Sequence, residues 1–204
     1  WSIHELYVHG METKYSGAVG VTPSSDSPSS AVPPLLSNSE ADFITSANTG
    51  LTELSWRFYE GEWGVLPDFK ILKPRKSGHL FGNLFDIHVQ GSRDNYGFVF
   101  DGKLQVPKDG EYTFYLASDD GTRLLINGKV IVDNDGVHDG GEVIVGKAKL
   151  KKGKHPLSLL YFEKQGDENL AVGWSGPGFD LEMLSKDGRE TITRGKRSAT
   201  PRKL

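Results

Sequence analysis

Residues 112–136 read YTFYLASDDGTRLLINGKVIVDNDG, and their alternation decides the fold class. Tyr112, Phe114 and Leu116 interleave with Thr113, Tyr115 and Ala117, the two-residue period of a strand with opposite faces. Residues 124–126 and 129–132 flank Asn127-Gly128, a pair suited to the two positive-φ positions of a tight hairpin turn. Between these runs stand Asp119 and Asp120, with Gly121 behind them. Neighbouring residues of a strand point to opposite faces, so two adjacent carboxylates converge on one point only over an unusual backbone. An ordinary Asp-Asp-Gly turn explains the triplet. So does a calcium site that takes two ligands from neighbouring residues.

Working outward, the same pattern recurs in short pieces. Strands are predicted at 54–60, 96–100, 103–106, 143–150, 155–163 and 171–174. Asp101-Gly102 between two of them reads as a second hairpin turn, and PKDG at 107–110 as a further turn. Lys151-Lys152-Gly153 joins another pair. No stretch shows a convincing amphipathic helix. Many short strands separated by turn signals predict an all-β chain, an antiparallel β-sandwich or barrel. Trp56 and Trp174 fall on apolar strand faces and are expected in the core; Trp63, beside a turn, is expected to pack at the core or its rim.

Composition sets the bounds. A chain of 204 residues with 36% hydrophobic content supports one domain with a real core and additional segments. Residues 3–8 alternate loosely enough for one strand, whereas 16–39, with TPSSDSPSS and AVPP, reads as linker. The organisation expected is an N-terminal extension with linker at 1–50, a globular domain at 51–185 and a basic tail at 186–204. The absence of cysteine removes disulfides, zinc–thiolate sites and thiol nucleophiles together. No apolar run is long enough to span a bilayer. The chain opens at Trp1 with no visible signal peptide and reads as a processed or subcloned fragment.

Charge is unevenly spread. Residues 189–204 hold six Lys/Arg and one Glu, which leaves 18 basic and 26 acidic residues before them. An acidic body argues against nucleic acid as partner and agrees with cation binding. The basic tail reads as a solvated segment. Enzyme motifs are missing. In HELYVH at 4–9 the second His falls five residues after the first, about 140° around a helix, so the zincin pattern of two His on one helical face fails. There is no G-x-S-x-G, P-loop or G-x-G-x-x-G, and no catalytic residue is assigned.

Three ordered stretches carry a family resemblance: FYEGEW at 58–63, VPKDGEYTFYLASDDGTRLLINGKVIVDNDGVH at 106–138, and GKHPLSLLYFEKQGDENLAVGWSGPG at 153–178. From about Leu51 to Leu184 the chain resembles the PA14 domain family. The resemblance implies a β-sandwich or barrel of roughly ten strands, in a noncatalytic module outside the cell. In lectin-like members two adjacent aspartates are joined by a cis peptide, both bind calcium, and the ion takes up hydroxyl pairs of a sugar. Asp119 and Asp120 match those positions. Where adhesin members place a further asparagine ligand, this chain has Glu163, a departure that still offers calcium a hard oxygen.

The acidic loop at 133–139 does not follow an EF-hand, since Gly136 and Val137 fall where positions 4 and 5 would be. It reads as a turn after the preceding strand, placed near the implied sugar site. Asp135, His138 and Asp139 are its candidates for sugar contact, beside Asp119 and Asp120. The function these residues suggest is a calcium-dependent carbohydrate-binding module of an extracellular or cell-surface protein, as in lectins and adhesins. Its partner would be a glycan or polysaccharide, and it would form part of a larger multidomain protein. The alternatives are a noncatalytic structural or protein-interaction domain and an accessory domain of a glycosidase.

Overall fold

Alternating apolar residues build ten strands in the computed structural model, which describes residues 50–91 and 94–198. All of these lie in the unit Asn38–Leu204. The strand expected over 3–8, the His4/His9 pair and the Ser/Pro-rich stretch at 16–39 lie outside the described residues. In chain order the strands are β1 (Gly50–Glu60), β2 (Lys76–His79), β3 (Tyr96–Val106), β4 (Gly110–Asp119) and β5 (Thr122–Ile126). Then come β6 (Lys129–Asn134), β7 (Ile144–Leu150), β8 (Gly153–Glu163), β9 (Asn169–Gly176) and β10 (Phe179–Met183).

They form two antiparallel sheets. One has six strands in the order β2-β1-β3-β8-β5-β6, the other four in the order β10-β9-β4-β7. The inner faces meet over a core that includes Phe98, Phe100, Phe114, Leu116, Leu159 and Trp174, each fully buried. Every second residue of β4 enters it, as the alternation at Tyr112, Phe114 and Leu116 predicts. Trp56 lies at the edge of the same core, against Phe98. Trp63 packs edge-on against Phe69.

One of the two hairpin signals is realised. Asn127 and Gly128 take positive φ and turn β5 into β6. Asp101-Gly102 does not turn: β3 runs straight through it, with Asp101 opposite Ser55 on β1 and Ser158 on β8. Gly102 serves close approach instead. A Cβ there would stand 3.0 Å from Leu54 Cδ1 and 3.1 Å from the Thr52 carbonyl oxygen, where β1 bulges between Thr52 and Ser55. A strand paired on both sides gains two ladders of hydrogen bonds that a turn would forfeit.

A helix that the sequence does not announce, α1 (Arg189–Ser198), follows β10 inside the stretch expected to be a solvated tail. RETITRGKRS segregates its polar residues at the helical period but holds a single apolar side chain, Ile192, so no apolar stripe marks it as a packed helix. Ile192 anchors it, fully buried against Ala117 of β4 and Ala171 of β9, and Lys196 adds Nζ contacts to the Tyr115 ring at 4.9 Å and the Asp180 carbonyl at 3.2 Å. Gly195 lets the helix backbone lie against Val143. Tertiary packing decides this element rather than propensity.

Candidate metal centre

The chain changes sheets at Asp119-Asp120-Gly121. β4 belongs to the four-stranded sheet and β5 to the six-stranded one, so these residues form the crossover between them. The Asp119–Asp120 peptide bond is cis. Gly121 passes so close to β8 and to the loop after β6 that a Cβ would strike the Phe162 ring and the backbone of Gly136. Its carbonyl accepts the Phe162 N–H at 2.9 Å.

Glu163 arrives from the end of β8, opposite Tyr96 of β3. Asp119, Asp120 and Glu163 thereby each bring a carboxylate oxygen within 4.8 Å of the others. Asp120 and Glu163 are buried, 2% and 0% exposed, while Asp119 is half-buried. The Asp120 carboxylate accepts the His138 N–H at 3.0 Å on one oxygen and the Lys164 N–H at 2.9 Å on the other. The Tyr161 hydroxyl is shared between the Asp119 carbonyl at 2.6 Å and Glu163 Oε2 at 3.1 Å. Glu163 Oε1 is buried and has no hydrogen-bond partner. Among the described residues no Lys or Arg forms an ion pair with any of the three.

Three crowded carboxylates resist ionising together. Burial, then the charges of Asp120 and Asp119, push the Glu163 carboxyl up to about 7. Burial and the neighbouring Asp120, with Asp139 further off, raise Asp119 above the usual carboxylate range. A cation placed among them reverses that penalty, and the donor set is all hard oxygen.

The acidic loop wraps this corner, and its residues separate into different tasks. His138 gives its N–H to Asp120 but turns Nε2 back to the Asn134 carbonyl at 3.0 Å. Asp135 faces the scaffold: one oxygen accepts the Leu66 N–H at 2.7 Å, the other the Arg123 guanidinium at 3.2 Å. Asp139 is exposed and near enough for its charge to act on Asp119. Gly140 lies against Asp119 and accepts the Asn169 side-chain amide at 3.3 Å. Tyr161 is the site residue that sequence reading missed. The signal was present, since Tyr161 and Glu163 stand two apart on one strand and therefore share a face.

Fold and site together define an antiparallel β-sandwich with a carboxylate cluster at its inter-sheet crossover. The model of the PA14 domain family matches residues 85–188, just over half of the chain, and the chain belongs to that family. No curated protein matches the sequence. Solved structures do. The PA14 sugar-binding domain from an RTX adhesin is 18% identical with a TM-score of 0.51, covering 67% of this chain and 95% of that one. The PA14 domain of the MpAFP antifreeze protein is 16% identical with a TM-score of 0.52, covering 67% and 87%. An anti-sigma factor domain-containing protein is 19% identical with a TM-score of 0.52, covering 69% of this chain and 49% of its own. The chain thus spans about half the length of that relative. At such identities the likeness is one of fold. Among the described residues no helix is long and apolar enough to cross a membrane.

Proposed function

We propose that the chain carries a noncatalytic, calcium-dependent carbohydrate-binding module of an extracellular or cell-surface protein, with Asp119, Asp120 and Glu163 holding the ion. The observation that carries this reading is the convergence of three carboxylates within 4.8 Å with no cationic side chain paired to them among the described residues. Opposite oxygens around a calcium ion, each at 2.3–2.6 Å, stand at most about 5 Å apart, so the spread suits one ion. The unpartnered Glu163 Oε1 is a donor of the right kind in the right place. Oxygen-only ligation favours calcium over the softer transition metals.

When bound, calcium supplies positive charge and coordination positions for a pair of sugar hydroxyls. The chain's own residues orient that exchange. Asp120 is fixed by two backbone N–H groups, and half-buried Asp119 leaves one flank toward solvent. Asp139 stands beside that flank as a contact for sugar, while Asp135 and His138 shape the loop that carries it. Membership of the PA14 family and the resemblance to a domain described as sugar-binding support the reading. A shallow site of this sort binds weakly, which agrees with multivalent display in a larger protein.

The near-complete burial of two of the three carboxylates favours one other reading, a structural ion with no sugar on it, in a domain that serves protein interaction. A glycan array probed with and without chelator decides between them. Calcium-dependent glycan signals are expected. Calcium binding by calorimetry with a blank array would establish the structural ion instead, and no calcium binding at all would remove both.

A further inference from the structure

The outer face of the six-stranded sheet carries a groove of about 600 Å³, in the range of small-ligand sites. Two neighbouring cross-strand rows form its floor. In the first, Arg57, Val99, Leu160 and Arg123 stand opposite one another on β1, β3, β8 and β5. In the second, Asp101, Ser158, Leu125 and Val130 do the same on β3, β8, β5 and β6. Strands lie about 4.8 Å apart, so the two arginines stand roughly 14 Å apart, with Val99 buried in a cluster with Phe69 and Leu160 half-buried between them.

The segment from Leu66 to Lys70 makes one wall, and it is held in advance. The Leu66 N–H is bonded to Asp135 at 2.7 Å, and Phe69 is buried with its ring 4.9 Å from that of Tyr59. A wall already ordered costs a ligand little to meet.

The polar groups of the floor select the ligand. Arg57 is bonded to Asp101 at 2.6 Å, and the other Asp101 oxygen accepts the Ser158 hydroxyl at 2.6 Å. Both partners stay accessible, 46% and 43% exposed. Arg123 is held between two carboxylates, Asp133 at 3.0 Å and Asp135 at 3.2 Å. The Arg57–Asp101 pair sets donor and acceptor side by side without net charge, and the Arg123 group does the same with one negative charge in excess. An anion meets the aspartates and a cation meets the arginines. A purely apolar body strips water from both ions and returns nothing. A hydroxyl, which donates and accepts at once, satisfies both partners of a pair, and the C–H face of a sugar ring covers the half-buried Leu160 and Leu125 and the exposed Val130.

We propose that this groove is a second glycan site, taking a neutral oligosaccharide chain and needing no metal. It shares only the ligand class with the calcium reading, and its residues are separate from the carboxylate cluster. The test is titration of the full chain, in chelator, with cellohexaose and with maltohexaose, followed by amide chemical shifts. The expected result is saturable shifts at Arg57, Asp101, Leu125 and Val130 with at least one of the two, and small changes at Asp119–Gly121. The paired variant Arg57→Ala/Asp101→Ala should weaken that binding at least tenfold while keeping the calcium response of its melting temperature. Shift mapping keeps the test decisive should that variant fold poorly. Silence with both hexasaccharides, shifts confined to residues 119–121, or unchanged affinity in a folded paired variant overturns the proposal. Because chelator is present throughout, failure here leaves the calcium-dependent reading standing, and a calcium-independent success does not rescue it.

Discussion

Glu163 concentrates the energetics of the crossover in one side chain. Without a cation it keeps its proton up to about pH 7, against an ordinary value of 4.5. The folded chain therefore holds that proton more tightly than the unfolded one. The resulting stability is fully present below pH 4.5 and is lost as pH rises through 7. The shift corresponds to a loss on the order of 3 kcal/mol. Asp119, also raised, acts with the same sign. Glu163→Gln keeps a neutral group of the same shape, so in chelator the variant should gain on the wild type between pH 5 and pH 7.5. Urea unfolding at the two pH values measures this, and a parallel pH dependence for the two proteins would contradict it. The aspartate pair was legible in the sequence as a choice between turn and ion site. The third carboxylate came with the family resemblance, because adjacency along the chain gives no hint of a residue 43 positions away. Its degree of burial was not legible at all, since that depends on how β3, β5 and β8 close around it.

Elements were readable where local chemistry and pairing agreed. Asn127-Gly128 turns because its positive-φ positions coincide with the end of two paired runs. Asp101-Gly102 carries similar turn chemistry but lies in the middle of a strand flanked on both sides, and the ladders prevail. β2, KSGH, is a short outer strand with no apolar residue, so its pairing comes from its neighbour rather than from its own pattern, whereas β10, FDLEM, alternates at Phe179, Leu181 and Met183 but over only five residues. The same reasoning identifies the fragile joints. Gly146 of β7 lies against the Ile131 carbonyl of β6, where the two sheets approach, and a Cβ has no room. Gly146→Ala should cost about 1–3 kcal/mol by overpacking. Helix α1 depends on Ile192, and Ile192→Ala should cost about 2–4 kcal/mol, with early amide exchange in residues 189–198. Unaltered exchange there would show that the helix is held by something other than its one buried apolar side chain.

At the scale of the whole molecule, the carboxylate cluster is a joint between sheets. Asp119 ends β4 in one sheet, Asp120 leads into β5 in the other, and Glu163 ends β8 beside it. A cation bound here engages both layers at once, and the unfolded chain, with its carboxylates dispersed, offers no equivalent. Ligand that binds only the folded state stabilises it by about 2.7 kcal/mol at one hundred times the dissociation constant. For a domain of this size each kcal/mol raises the melting temperature by about 2–4 °C, so saturating calcium should raise it by about 5–10 °C, reversibly on chelation. Asp120→Ala should abolish the response. It should also lower the calcium-free stability by about 1–3 kcal/mol, because the His138 and Lys164 N–H groups lose their acceptor. Glu163→Gln should shrink the calcium shift without removing it, since an amide oxygen still ligates but carries no charge. A wild-type melting curve indifferent to millimolar calcium would leave three carboxylates crowded at the crossover for no gain, and the reading of this corner as a calcium centre would have to be given up.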